Sequence, residues 1–325
     1  MIKSFFRVNM ILLLSLSLVL TCSFSTFAAS RSYLPALQAS VQKYIKKSGT
    51  FKLTKNSRFL VLSSKKPRGT YADTIRLLTA EFRAKRKPSK EKLLTIYGSK
   101  KEIEKGDIVI RKASSGFSPQ GYRLQVTKDN IYLTADTNDG IFYGLRTLLK
   151  SFVSNGSNRI PCCIIKDSPD VKERTVHLDC GRKYFSKTWI TNYIKRMSWQ
   201  GYNGIELHFS ENLGLRLESK RFPWLAGSST NNRKYLSQAA MKDICRVAKQ
   251  YHMEVIPSFD SPGHMNYIIK KYRSYVKKHP NYKFKYKGTT FSKKKKGFFN
   301  ISNYFQYRGD RSDYNYLSID LANPT

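Results

Sequence analysis

The stretch Met253-Glu254-Val255-Ile256-Pro257-Ser258-Phe259-Asp260-Ser261-Pro262-Gly263-His264-Met265 decides the fold class. It opens as a short apolar run, stops at Asp260, and turns through Ser261, Pro262 and Gly263 to His264. A buried parallel strand has this form: few residues, Val and Ile, and Pro and Gly just past its end. Standing alone, an ordinary strand and turn would read the same way. Two earlier segments, residues 174–182 and 203–216, end in the same manner, with an apolar run that meets polar and charged residues. Polar groups at the carboxyl ends of such strands sit where α/β barrels place their chemistry.

Helical patterns separate these strands. Residues 186–200 follow the first, with Ser186 as the cap, and residues 237–251 follow the second after a long loop containing Phe222-Pro223-Trp224. Residues 266–278 follow the third. Successive βα units with buried parallel strands predict an α/β domain. A closed (β/α)8 TIM barrel needs eight units and roughly 250 residues, whereas about 150 follow Arg174. The expectation for residues 171–325 is therefore a partial barrel of about three βα units in a truncated chain. Residues 280–316, rich in Lys and Tyr, read as an insertion loop. Asn323 and Pro324 read as the cap and first position of another helix.

The upstream part has a different rhythm. Residues 59–63 and 107–111 read as strands, and residues 71–85 as a helix with Ile75, Leu77, Leu78 and Phe82 on one stripe. Residues 122–135 alternate, turn at Lys128-Asp129-Asn130 and return, which predicts a hairpin with one buried face. A helix over 136–152 and a strand over 160–165 follow. Residues 31–48 carry a helical pattern through Leu34, Leu37, Val41, Tyr44 and Ile45. Together these predict an α+β domain over residues 29–170 with a mostly antiparallel sheet.

Residues 1–28 read as a secretory signal peptide. Lys3 and Arg7 form the positive region, an apolar run follows over 10–20, and Thr26-Phe27-Ala28 is a small-residue exit. The expected location is secreted or cell-surface associated, with no membrane segment after cleavage near Ala28. An uncleaved anchor is the other reading, though the run is short for a spanning helix. Cys162, Cys163, Cys180 and Cys245 remain in the mature chain with no zinc-type spacing. No metal and no cofactor is expected. The net charge of +37 suits non-specific attraction to polyanions, here anionic cell-wall polymers, anionic lipids or acidic glycans. A solvated lysine surface without a partner reads equally well from charge, including the run at residues 293–296. Nucleic acid is not expected as a partner, because secretion and the strand-end residues argue against it.

The strand ends collect one set of side chains. The first unit supplies Arg174, Asp179 and Arg182, the second His208, Glu211, Asn212 and Arg216, and the third Asp260 and His264. Carboxylates, arginines and a histidine converging on one barrel face suit a polyhydroxylated ligand, since charged groups fix hydroxyl orientations. Other readings stay open. Arg182, Glu211 and Arg216 also read as solvated loop charges, His264 as a helix cap, and Asp179 with Arg182 as a structural ion pair.

Three ordered motifs carry a family resemblance. Arg174-Thr-Val-His-Leu-Asp179-Cys-Gly-Arg182-Lys-Tyr-Phe is similar to the pattern Arg-Gly-x-x-x-Asp-x-x-Arg-x-(Tyr/Phe) at the first barrel strand of glycoside hydrolase family 20, the β-N-acetylhexosaminidases. Residues 203–218, with His208, Glu211, Asn212 and Arg216, resemble the family's second strand, and residues 256–264 its third. Gly121-Tyr-Arg-Leu and Gly140-Ile-Phe-Tyr-Gly-Leu-Arg-Thr-Leu resemble the domain preceding that barrel. The resemblance implies an N-acetylhexosamine-containing glycan substrate. It assigns Arg174 to hydroxyls of the terminal sugar, Glu211 to an acidic position on the active face, and His264 to a histidine near the catalytic acid. Arg174 stands at the start of its strand, so it would have to reach up the barrel interior. Asp179 and Asp260 complete the expected binding set.

Departures are also legible. Thr175 replaces a usual Gly, Glu211-Asn212 a common Asp-Asp, and Ser258 a usual Glu. The family's adjacent Asp-Glu pair, which follows the fourth strand, occurs nowhere in the sequence. The resemblance implies retaining, substrate-assisted hydrolysis: the 2-acetamido oxygen attacks, the Glu protonates the leaving oxygen, and the Asp orients the acetamido group. General acid catalysis is worth about 10²–10⁴ in rate. The 325-residue chain itself is therefore expected to be inactive, its catalytic pair lying beyond Thr325. Two functions remain: a fragment of a secreted exo-β-N-acetylhexosaminidase, or a non-catalytic basic glycan- or cell-wall-binding protein derived from one.

Overall fold

The structure, a computed structural model, describes residues 41–54, 56–63, 65–85, 93–150, 158–230, 233–261, 263–286, 289–292, 307–308 and 316–317. The signal peptide, the run at 293–296 and the helix start at Asn323 lie outside them. In chain order the upstream elements are β1 (Lys43–Lys52), β2 (Phe59–Leu62), α1 (Gly69–Lys85), β3 (Thr95–Gly98), β4 (Ile108–Lys112), β5 (Tyr122–Val126), β6 (Ile131–Ala135), α2 (Asn138–Leu148) and β7 (Arg159–Asp167). They form one seven-stranded sheet in the order β1-β7-β5-β6-β4-β2-β3.

The mostly antiparallel sheet expected here is mixed. Pairing is antiparallel from β1 through β7 and β5 to β6, and parallel from β6 through β4 and β2 to β3. The reason is connection type. The tight turn after β5 forces an antiparallel return, whereas α1 carries the chain back so that β3 enters in the direction of β2. A second correction concerns residues 43–48, predicted as the end of a helix. They lie in β1, where Lys43 to Lys46 pair with Lys166 to Cys163. The register then shifts between Lys46 and Thr50, around Gly49 at φ 104°. The local apolar spacing favoured a helix, but the open edge of β7 supplies ladder hydrogen bonds that override it. The strand Thr95–Gly98 was not read from the sequence; its four residues are all half-buried.

One hydrophobic core joins this sheet to both helices. Ile75, Leu78 and Phe82 of α1 and Ile141, Phe142, Leu145 and Leu148 of α2 meet Phe59, Val61, Ile108, Ile110, Leu124 and Leu133. Gly144 allows α2 to lie close on the sheet: a Cβ there would stand 2.2 Å from a Leu133 methyl. Cys162 and Cys163 are buried in β7.

The second unit contains β8 (Thr175–Asp179), α3 (Lys187–Gln200), β9 (Gly204–His208), β10 (Ser210–Glu211), β11 (Gly214–Leu215), β12 (Gly227–Ser228), α4 (Gln238–Gln250), β13 (Glu254–Ser258) and α5 (Asn266–Lys278). β8, β9 and β13 pair in parallel in the order β13-β9-β8. The helix starts follow the sequence reading: the Ser186 hydroxyl accepts from the Trp189 N–H, and the Ser237 hydroxyl from the Ala240 N–H. Val176, Leu178, Ile205, Leu207 and Val255 point to the helices and share a core with Ile190, Ile194, Ile244 and Ala248. The alternate residues form layers on the other face. Thr175, Gly204 and Glu254 share one level, His177, Glu206 and Ile256 the next, and Asp179, His208 and Ser258 the last.

β13, read from the sequence as a buried type of strand within a partial barrel, stands at the edge of the three strands, with Glu254, Ile256 and Pro257 exposed. Among the described residues no further strand covers it. The insertion expected over 280–316 contains β14 (Lys283–Tyr286) and β15 (Thr289–Ser292), which pair antiparallel, and a short pairing of Tyr307–Arg308 with Tyr316–Leu317. No helix of the described residues is long and apolar enough to cross a membrane.

His252 pins the two units together. It adopts φ 53°, stacks on Phe142 with ring centroids 4.2 Å apart, and places Nε2 2.7 Å from Thr74 Oγ1 and Nδ1 2.5 Å from an Asp139 oxygen.

Candidate functional site

The last layer of the parallel strands opens the site. Asp179 ends β8, His208 ends β9, and Ser258 ends β13 in the same register. The Asp179 carboxylate accepts from the Arg182 backbone N–H at 3.0 Å and from the Arg182 guanidinium at 2.6 Å. The same guanidinium pairs with the Glu211 carboxylate. Glu211 is only 4 % exposed. Its other oxygen lies 3.2 Å from His264 Nδ1 and accepts the Asn212 backbone N–H at 2.9 Å. Arg182 is thus held between two carboxylates while its side chain remains 56 % exposed. The Asp179 carboxylate first, with Glu211 behind it, raises the guanidinium's already high pKa.

Backbone geometry makes this contact possible. Gly181 lets the loop after β8 lie against β10, where a Cβ would stand 2.8 Å from the Ser210 carbonyl carbon and 2.9 Å from the Glu211 Cβ. His264 takes a left-handed φ of 53°, a conformation that costs a non-glycine residue of order 1 kcal/mol and recurs at functional sites. The Asn212 side chain braces the same turn, reaching His264 Nδ1 at 3.3 Å and accepting the Asn266 N–H at 3.3 Å.

A second hydrogen-bonded set lies beside the first. His208 Nδ1 is 3.0 Å from the Ser258 hydroxyl and Nε2 is 3.1 Å from the Asp260 carboxylate. The Asp260 N–H donates to the Ser210 hydroxyl at 2.7 Å. One layer deeper, His177 Nδ1 approaches Glu206 at 3.3 Å. Hydrogen bonding to Ser258 first, and then to His177, lowers the Glu206 pKa. His208, Glu211 and Asp260 offer atoms within 4.8 Å of one another that could ligate a cation. Those atoms are already engaged, and the Arg182 cation beside Glu211 opposes a second positive charge.

Four of the five expected binding residues meet here: Asp179, Glu211, Asp260 and His264. Arg174 does not. It stands at the amino end of β8, where its Nε donates to the Gly201 carbonyl at 2.7 Å and Nη1 to the Val171 carbonyl at 2.6 Å. Its Nη2 reaches Gln120 at 2.7 Å and the Tyr143 hydroxyl at 3.0 Å. Arg174 therefore fastens the α+β domain to the foot of the barrel strands, and the arginine at the mouth is Arg182. The parallel direction of β8 separates the two by the length of the strand. Arg216 is not a solvated loop charge: it is 1 % exposed, donates to the Lys234 carbonyl at 2.8 Å, and has its pKa depressed by burial. His177 and Glu206 escaped the sequence reading, although their two-residue spacing from Asp179 and His208 places them on the same face.

Parallel strands with helices on one side and ionisable residues at their carboxyl ends place this site where α/β barrels carry their chemistry. The model described as "Glycosyl hydrolase family 20, domain 2" matches residues 36–168, and "Glycosyl hydrolase family 20, catalytic domain" matches residues 172–308. The chain belongs to glycosyl hydrolase family 20. It is 27 % identical over 193 residues to a β-hexosaminidase of Vibrio vulnificus, covering 51 % of this chain and 23 % of that protein. It is 26 % identical over 155 residues to a β-hexosaminidase of Akkermansia muciniphila, covering 44 % of this chain and 31 % of that protein. The crystal structure of a Bacteroides fragilis β-N-acetylhexosaminidase aligns with TM-score 0.61 at 25 % identity, covering 74 % of this chain and 48 % of that one. A Vibrio harveyi exo-β-N-acetylglucosaminidase in complex with N-acetylglucosamine aligns with TM-score 0.65, covering 90 % of this chain and 42 % of that one; at 19 % identity it speaks to the fold. The matched region spans under a third of those two curated relatives.

Proposed function

We propose that this sequence is the amino-terminal portion of a secreted exo-β-N-acetylhexosaminidase. The substrate would be a glycan with a terminal, non-reducing GlcNAc or GalNAc, cleaved by the retaining, substrate-assisted route. The carrying observation is the bridge Asp179–Arg182–Glu211–His264 at the carboxyl ends of the parallel strands. Arg182 is fixed by two carboxylates yet keeps an exposed edge, so its remaining N–H groups are pre-oriented for sugar hydroxyls. Glu211 holds His264 beside the same opening, where it can govern the proton of a neighbouring acid. Proteins bearing the β-hexosaminidase name among the relatives support the substrate class.

The Asp-Glu pair required by this mechanism is absent from the 325 residues, so the acid would come from polypeptide outside them. Hydrolysis of p-nitrophenyl β-GlcNAc is the test. Activity is expected from a chain extended through the downstream reading frame and not from the 325 residues alone. Activity in the 325 residues would sink the assignment of the catalytic pair. Inactivity in both would favour a non-catalytic basic glycan-binding protein, a reading supported by the net charge of +37. Secretion rests on residues 1–28 and is tested by sequencing the exported protein's amino terminus, expected just after Ala28.

A further inference from the structure

A second crevice lies at the foot of the barrel strands, away from Arg182. It has a volume of about 490 Å³, and its walls are the ends of α1, α2 and α3 with Tyr251. Arg146 of α2 is its most unusual residue. Only 3 % of it is exposed, and its Nη1 pairs with Glu81 of α1, but its Nε and Nη2 are buried and, among the described residues, have no hydrogen-bond partner. A buried charged donor left unpaired is strongly disfavoured, and such an orphan marks a place where an acceptor belongs.

Among the described residues no oxygen accepts from these two nitrogens, and the guanidinium lies 5.0 Å from the Phe142 ring. The Trp199 ring is approached by the Arg146 guanidinium at 5.0 Å, the Lys85 ammonium at 5.2 Å and the Lys150 ammonium at 5.7 Å. Lys85, Lys195 and Arg196 line the walls, Lys150 stands outside them beside Trp199, and the one carboxylate among the lining residues is Glu81. Glu81 is shared between Arg146 and the Tyr251 phenol, whose pKa rises to about 12 through burial and then this carboxylate. Burial, followed by the nearby Arg146, pushes Lys150 down to about 8. Among the described residues, cations thus gather from three helices around a single carboxylate.

We propose that this interdomain crevice binds a tetrahedral oxyanion, phosphate or sulfate, either free or carried as an ester on a glycan. Arg146 would supply the forked donors and Lys150 and Lys85 the flanking charges, an arrangement that suits an anion approached from several sides. The site is separate from the Arg182 cluster and does not depend on the hydrolase reading.

The test titrates inorganic sulfate and phosphate into the full chain at pH 7, with ionic strength held constant by sodium chloride, following heat and Tm. Saturable binding and a raised Tm are expected. Lys150→Gln should weaken binding by about tenfold, the scale of one hydrogen bond to a charged group, while raising Tm in the absence of the anion. Arg146→Gln should abolish binding; if it fails to fold, Lys150→Gln carries the test. Lys47→Gln with Lys52→Gln, exposed on β1, should leave affinity unchanged. No saturable binding, or an equal loss in Lys150→Gln and the β1 variant, would overturn the site. N-acetylglucosamine 6-sulfate or 6-phosphate binding more tightly than the inorganic ion would identify an ester on a glycan; equal affinity would identify the free ion.

Discussion

The two units bury their sheets differently. In the α+β domain, Phe59, Leu60 and Val61 of β2 and Ile108, Val109 and Ile110 of β4 are at most 1 % exposed. In the barrel unit only the helix-facing side reaches that level: Ile205 and Leu207 are fully buried, whereas Ile256 and Phe259 are 38 % and 51 % exposed. A sheet that closes into a barrel buries its inner face by closure, and the three parallel strands among the described residues do not close. The polar layers of Asp179, His208 and Ser258 therefore face an opening, and the chemistry collects there.

The comparison is broken most directly by cavity mutations. Leu133→Ala, at 0 % exposure in the first core, should cost about 2–5 kcal/mol in urea unfolding. Ile256→Ala should cost less than about 1 kcal/mol, because little burial is lost. Equal losses would mean that β13 is covered in solution.

Next in size is the buried carboxylate. Arg182→Ala removes the cation beside Glu211 and should lower stability by about 2–3 kcal/mol. Adding Glu211→Gln should recover much of that, because a neutral amide tolerates the loss. A double mutant no better than Arg182→Ala would show that Arg182 stabilises through Asp179 alone.

Lys150 sharpens the contrast at the domain boundary. Its folded pKa of about 8 lies below the ordinary 10.5. Between those values the unfolded chain binds more protons, so stability rises with pH across the window, and the penalty is fully present below pH 8. Lys150→Met should therefore raise stability at pH 7 by up to about 1–2 kcal/mol after allowance for solvent screening. The gain should vanish by about pH 10.5. A gain constant in pH would point to packing instead.

The smallest effect is shared by two of the barrel helices, α3 and α4. Ser186→Ala and Ser237→Ala each remove one cap and should each cost about 1 kcal/mol, measured by the same urea midpoint. A null result at Ser186 would mean that the start of α3 is held by Phe185 stacking on Trp189, whose ring centroids are 4.4 Å apart.

Local signals set the accuracy of the sequence reading. Ser186, Ser237 and the alternation across residues 122–135 involve neighbours within a few residues, and the corresponding elements appear where expected. Glu211, His264, Asp179 and Asp260 were legible because each closes or follows a strand in a repeated βα pattern. Arg174 was misplaced because a motif gives order along the chain and not the end of the barrel at which a long side chain finds its partners. Residues 43–48 were misread because the edge of β7, more than a hundred positions away, decides their conformation.

The sequence by itself determined the alternation of strands and helices, the capped helix start at Ser186, and the residues that end each barrel strand. These depend on periodicity and on side chains meeting their own backbone. Tertiary structure alone decided the mixed direction of the upstream sheet, the bridge of Arg182 between Asp179 and Glu211, and the burial of the Arg146 donors. Each of these depends on which distant surfaces meet, and hydrogen bonds and burial act on that proximity rather than on spacing along the chain.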